Sequence, residues 1–195
     1  MATTDTAALA PLSRLDLAGL SAVWPKPSPA LALTVIDAMR VLSLRHLAGG
    51  GTAALAAVLT AQGLQPIPDP GRSSGIEPKL IWRSPSETLL LTHDAACSTS
   101  LLAALRPTPG VLAFALDLSA GTLVVELNGS ALDALLPRLV DADALPRDTG
   151  LAARTRLADI AATVWRSAPD RVGLLVDRAN DHYLARCLSY AIEVM

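Results

Sequence analysis

The chain is 195 residues long with a formal net charge of −2. That is enough for one domain or two small ones around a real core, and it leaves no basic field to attract nucleic acid or acidic lipid. Hydrophobic residues make up 51% and charged residues 17%, against about 25% charged in an average soluble domain.

The uncharged run from Leu47 to Pro68 is broken by Gly49-Gly50-Gly51, two glutamines and Pro66. It does not read as a membrane span, so the surplus apolar surface is expected to meet protein partners. Asp5 and the lack of a basic residue before Arg14 argue against a signal peptide. Cys97 and Cys187 fit buried thiols in a reducing cytoplasm, the expected compartment.

Residues 1–38 read as an extended Pro/Ala-rich arm, with Pro11, Pro25, Pro27 and Pro29 and with Trp24 tucked onto the domain or offered to a partner. Residues 39–195 read as an α+β domain, with two lobes expected at about 39–115 and 116–195. From Met39 to Leu47 the alternation of Leu42 and Leu44 with Ser43 and Arg45 predicts a half-buried strand. Thr52 is expected to cap a helix striped by Leu55, Val58 and Leu59 and ended by Gly63. The Pro/Gly-rich loop from Gln65 to Pro78 is long enough to predict a functional or partner-facing segment.

"KLIWRSPSETLLLTH" predicts a hairpin about Ser84-Pro85-Ser86, and Ala95 to Arg106 a helix with Leu101, Leu102 and Leu105 inward. Val111 to Asp117 is expected to pair with Thr122 to Leu127 across Ser119-Ala120-Gly121. In the second strand Leu123, Val125 and Leu127 share a face opposite Thr122 and Glu126. Asn128-Gly129 turns the chain, and Ser130 with Asp133 suggests a capping box before the stripe Leu132, Leu135, Leu136 and Leu139, with Pro137 expected to kink or end the helix. Strands over 153–158, 160–166 and 171–177 form a meander. Asn180 is expected to cap a last helix carrying Leu184, Cys187, Leu188, Ala191 and Ile192. Hairpins dominate, so the fold class is α+β, an antiparallel sheet covered by helices. No internal repeat is evident.

Chemistry-bearing patterns are sparse. Gly49, Gly51 and Ala54 fit G-x-G-x-x-[GA] between a strand and a helix, where backbone amides can hold a pyrophosphate. The acid about twenty residues on, Asp69, sits in "LQPIPDPG", whose prolines forbid the second strand the motif needs, so a glycine-rich turn is the stronger reading. His93 and Cys97 make half a zinc site with no second pair at metal spacing. No G-x-S-x-G, C-x-x-C or H-E-x-x-H occurs. Hence no catalytic, cofactor or metal residue is assigned. Trp24, Arg154 and Arg156 are the expected partner-binding residues, with plain solvated charge as the competing reading for the arginines. Trp82 and Trp165 each precede an arginine and are read first as core.

"KLIWRSPSETLLL", then "LDLSAGTLVVELNGSALDALLPRLVDADALPRDTGLAARTRLADIAATVWR", then "VGLLVDRANDHYLARCL" together resemble the gamma subunit of heterotetrameric sarcosine oxidase. The resemblance is carried by Trp82, the hairpin from Pro85 to Leu90, Asp117, Ser119, Gly129, Thr155, Leu157 and Trp165; Thr88 stands where the family often has tryptophan. It covers about residues 40 to 190 and implies a fold similar to part of the glycine-cleavage T-protein, a folate-binding aminomethyltransferase.

It also implies a small, non-catalytic subunit that binds no cofactor by itself, assembled with alpha, beta and delta subunits, with no nucleic acid and no membrane as partners. The larger subunits would carry FAD, FMN and NAD, oxidise sarcosine or a related N-methyl amino acid, and pass the one-carbon unit to tetrahydrofolate. The alternative is a free-standing T-protein-like folate-binding protein, with Asp117 and Glu126 as candidate partners for the pterin nitrogens. A dinucleotide-binding enzyme using the Gly49 loop is a third reading.

Overall fold

The computed structural model describes residues 25, 30–47, 50–107, 110 and 112–195. Trp24, most of the expected arm, Gly49 and Val111 lie outside the described residues. Among the described residues, ten strands form two five-stranded sheets. One has the order β1-β7-β10-β9-β8 and the other β3-β4-β5-β2-β6. In chain order the strands are β1 (Ala32–Val35), β2 (Arg40–His46), β3 (Ser73–Ser74), β4 (Lys79–Ser84), β5 (Glu87–Thr92) and β6 (Ala113–Asp117). They continue as β7 (Thr122–Asn128), β8 (Ala152–Leu157), β9 (Ile160–Ala168) and β10 (Arg171–Asp177). The α-helices among the described residues are α1 (Gly50–Ala61), α2 (Ala95–Ala104), α3 (Leu132–Leu135) and α4 (Asp181–Glu193). All the pairings within both sheets are antiparallel.

Alternation of side chains explains the layering. In β2, Leu42 and Leu44 join Leu55 and Leu59 of α1 and Leu101 of α2 in one core. In β7, Leu123, Val125 and Leu127 join Leu132 and Leu135 of α3 and Leu184 and Leu188 of α4 in another. The residues between them point the opposite way and meet each other: Val41, Ile81, Leu89 and Leu91 from one sheet pack on Val124, Ala152, Trp165 and Leu175 from the other. The molecule is therefore four layers, helices–sheet–sheet–helices. It follows that β2 is buried on both faces rather than half-buried. Ser43 is buried and donates to the buried Glu87 carboxylate at 2.6 Å.

The two sheets repeat one topology. β2-α1-β4-β5-α2-β6 is a βαββαβ unit with β3 added at its edge. β7-α3-β9-β10-α4 follows the same path with β8 added, and its fourth strand is β1, from the other end of the chain. Within the span expected to be an arm, then, Ala32–Val35 is a strand paired with β7. The edges of β3 and β8 are stitched together by Ser73 N–H donating to the Gly150 carbonyl and Ala152 N–H to that of Gly71, each at 2.8 Å.

Several local expectations are corrected. The strand ending at Asp117 does not pair with the one beginning at Thr122: β6 pairs with β2, whereas β7 pairs with β1 and β10. The Asp117 carboxylate accepts from Ser119 N–H at 2.8 Å and Ser119 Oγ–H at 2.5 Å. Ser119 Oγ in turn accepts from Val41 N–H at 3.0 Å. This anchored turn carries the chain from one sheet to the other. Thr52 lies inside α1, and its hydroxyl shares a 3.1 Å hydrogen bond with His46 Nδ1 instead of capping the helix. Ser130 makes no cap, because α3 begins with Ala131 at its N-cap and the Asp133 carboxylate is taken by Arg166 at 2.6 Å. Asp177, not Asn180, caps the turn that leads into α4. Gly63, at φ +68°, does end α1, and Pro137 does stop α3 after one turn.

Val125 is fully buried in the middle of β7. Val125→Asp places an unpaired carboxylate in the core beneath α4 and is expected to lower stability by about 3–5 kcal/mol or prevent folding. Urea unfolding monitored by far-ultraviolet circular dichroism reads this directly.

Candidate functional site

At one end of the layer between the sheets the side chains fail to meet, leaving a cavity of about 500 Å³. Its floor is apolar: Ile36, Met39, Leu91, Val124 and Trp165. Val124 and Glu126 enter it because they alternate with the helix-facing residues of β7. Glu126 therefore faces the cavity, partly exposed. Trp165 is 5% exposed and lies opposite Gly173 in the β9–β10 register. A Cβ at 173 would overlap the indole, so the glycine is what allows the ring to lie across the neighbouring strand.

The rim is polar. Lys79 Nζ donates to the Gly75 carbonyl at 2.9 Å. Burial pushes its pKa down, and the Glu126 carboxylate partly offsets this. Arg171 Nε lies 3.6 Å from Glu126 Oε1. Glu77 accepts from the Thr92 hydroxyl and, at 3.0 Å, from His93 N–H. The hydroxyl of Ser74 is buried without a hydrogen-bond partner. Arg166 borders the cavity, but each of its guanidinium nitrogens already donates, to the carbonyls of Pro146 and Pro169 and to Asp133. This set can hold a small amphipathic molecule by stacking and ion pairing. None of the contacts above pairs a nucleophile with a base as covalent catalysis requires.

The residues singled out from sequence lie elsewhere. Arg154 and Arg156 are exposed on β8, the outer strand of its sheet, and Arg156 pairs with the still more exposed Asp159 at 3.4 Å. Asp117 is spent on its turn. His93 sits at the cavity rim, while Cys97 packs against the core under α1 and α2. Among the described residues no group of three or more His, Cys, Asp or Glu converges. At the glycine-rich turn, a Cβ on Gly51 would come within 2.5 Å of the Leu112 carbonyl, which already accepts from Leu47 N–H at 2.8 Å. The segment at Leu112 thus occupies the space over the start of α1 where a pyrophosphate would approach. The cavity residues Lys79, Glu126, Trp165, Arg171 and Gly173 carried no joint signal in sequence.

No family model matches the sequence. Among curated proteins, the sarcosine oxidase subunit gamma of Corynebacterium sp. strain P-1 is 38% identical over 91 residues, 45% of this chain and 43% of that protein. That of strain U-96 is 35% identical over 130 residues, 65% and 62%. A chain of the heterotetrameric sarcosine oxidase from Corynebacterium sp. U-96, solved in complex with pyrrole 2-carboxylate, superposes with a TM-score of 0.74 at 27% identity over 91% of both chains. The chain is similar in sequence to sarcosine oxidase gamma subunits and in fold to a chain of that oxidase. Its matched spans cover 43% and 62% of the two curated gamma subunits. Glycine cleavage system aminomethyltransferase T from Bartonella henselae shares the fold, with a TM-score of 0.55 at 16% identity over 82% of this chain and 45% of that one.

Two outcomes are expected. Gly173→Ala forces the indole of Trp165 to move, lowering stability by about 1–3 kcal/mol and changing tryptophan emission and near-ultraviolet dichroism. Separately, His46 is buried, its Nε2 has no partner, and burial lowers its pKa below the ordinary 6.5. The unfolded chain therefore binds a proton there first. The contribution of neutral His46 to stability is complete above about pH 6.5 and is lost as the pH falls toward the depressed value. The melting temperature should fall between about pH 7.5 and 5.5, and His46→Asn should flatten that part of the profile.

Proposed function

We propose that this chain is the gamma-type, non-catalytic subunit of a heterotetrameric sarcosine oxidase-type flavoenzyme. The single observation that carries the reading is the superposition over 91% of both chains on a chain of such an oxidase. In this reading the partners are alpha, beta and delta subunits. FAD, FMN and NAD belong to the larger ones, which oxidatively demethylate sarcosine or a related N-methyl amino acid and pass the one-carbon unit to tetrahydrofolate. The contribution of this chain is a rigid four-layered body, whose high apolar content suits a permanent interface. The cytoplasm is the proposed compartment, consistent with the free thiols of Cys97 and Cys187. The halves at about 39–115 and 116–195 are proposed as two lobes sharing the core between the sheets. Trp24, Arg154 and Arg156 remain proposed partner contacts, the two arginines being exposed on an outer strand.

The second reading, a free-standing folate-binding protein, is favoured by one observation: Glu126 projects into a cavity floored by Trp165. A carboxylate beside an indole suits a flat ring bearing N–H donors.

A tagged full-length chain, recovered from the cells that encode it, separates the two. The expected eluate is yellow, with flavin absorbance, two larger chains and one very small one. A colourless, solitary chain that binds tetrahydrofolate would establish the second reading instead.

A further inference from the structure

The cavity between the sheets brings together charges that are incompletely paired. Lys79 enters it from β4 and Glu126 from β7, on facing sheets. The carboxylate is near enough to hold the lysine pKa up, but burial pushes it down further. The amine donates to the Gly75 carbonyl at 2.9 Å, while Glu126 Oε1 lies 3.6 Å from Arg171 Nε. The remaining charges at the rim are occupied or outside. Each guanidinium nitrogen of Arg166 already donates. Glu77 is exposed, and its Oε1 accepts from the Thr92 hydroxyl and from His93 N–H. Two cations thus share one carboxylate inside the cavity.

This arrangement selects the charge of a ligand. An anion alone would improve the surroundings of Lys79 and Arg171 but meet the negative charge of Glu126. A cation alone would suit Glu126 and be repelled by the other two. A zwitterion completes both pairings, and each is stronger in a partly desolvated site than in water. Beneath the charges the walls are apolar. Glu126, Gly173 and Trp165 stand in one row across β7, β10 and β9. The indole lies over Gly173, on the side toward the carboxylate, and Met39 and Leu91 line the same space. Its volume of about 500 Å³ is in the range of about 300–1,000 Å³ usual for small-molecule pockets.

We propose that this cavity binds a zwitterionic α-amino acid with a large apolar side chain. Its carboxylate lies at Lys79 and Arg171, its ammonium at Glu126, and its side chain on the apolar floor beside Trp165. The site goes beyond the subunit reading and does not depend on it.

The test is calorimetric titration of the purified full-length chain with four compounds: L-phenylalanine, 3-phenylpropionate, which lacks the amine, 2-phenylethylamine, which lacks the carboxylate, and glycine, which lacks the apolar body. L-Phenylalanine is expected to bind at least about tenfold more tightly than each of the others. Glu126→Gln should weaken L-phenylalanine by about tenfold without weakening 3-phenylpropionate. Lys79→Gln should weaken it by a similar factor without weakening 2-phenylethylamine. If either variant melts early, the four-compound comparison on wild type decides by itself. Equal binding of any of the three partial compounds overturns the proposal, as does no binding of L-phenylalanine. Tetrahydrofolate bound in its place overturns it in favour of the folate-binding reading. Binding that is present in the isolated chain but absent from a complex recovered from the encoding cells also overturns it, because a partner then fills the cavity.

Discussion

A sheet that carries helices on one face has a second face to bury, and here that face is covered by another sheet. Everything else depends on this contact between Val41, Ile81, Leu89 and Leu91 on one side and Val124, Ala152, Trp165 and Leu175 on the other. Without it each βαββαβ unit would expose an apolar sheet face several strands wide, a surface that soluble proteins do not leave open. Trp165 lies in this layer across the neighbouring strand, and it can do so because Gly173 opposite it has no side chain.

The layer is closed at one end and open at the other, for different reasons. At the closed end the carboxylate of Glu87, itself 1% exposed, accepts from Ser43 at 2.6 Å and Arg83 at 2.9 Å, with Arg45 at 3.5 Å. A carboxylate so deep is tolerable only when it is surrounded by donors, and that requirement draws the strands β2, β4 and β5 together. At the open end the lining includes Gly75, Gly150 and Gly173, of which Gly173 is covered by the Trp165 indole and Gly75 by the Pro78 carbonyl. Charges there, on Glu126 and Arg171, are half-exposed and loosely paired at 3.6 Å.

This explains which features were legible in the sequence. Alternation revealed the faces of β2 and β7, and the 3.6-residue stripe revealed α4, because each is local. What alternation cannot reveal is the partner. Leu123, Val125 and Leu127 look the same whether β7 pairs with β6 or with β1 and β10, so the turn at Ser119–Gly121 read as a hairpin although it crosses between sheets. The repeat was hidden because its second copy is split, with β1 some ninety residues ahead of β7. Caps failed where a stronger partner competed: Asp133 pairs with Arg166, and Thr52 with His46. The cavity was illegible because Lys79, Glu126, Trp165 and Gly173 converge from four strands with no spacing rule among them.

The split repeat has a consequence for how the body holds together. β1 precedes the first βαββαβ unit yet completes the second, pairing along β7 from Ala32 opposite Asn128 to Val35 opposite Val125. The join is tight: a Cβ on Gly129, at φ +148°, would overlap the Ala30 carbonyl, which accepts from Ala131 N–H at 3.0 Å. The chain from β2 to β6 is therefore a loop closed by the second sheet, and the first sheet is stitched to that same sheet again where β3 meets β8. Neither half has its edges complete without the other. Long-range closure of this kind slows folding, but it gives one continuous rigid frame.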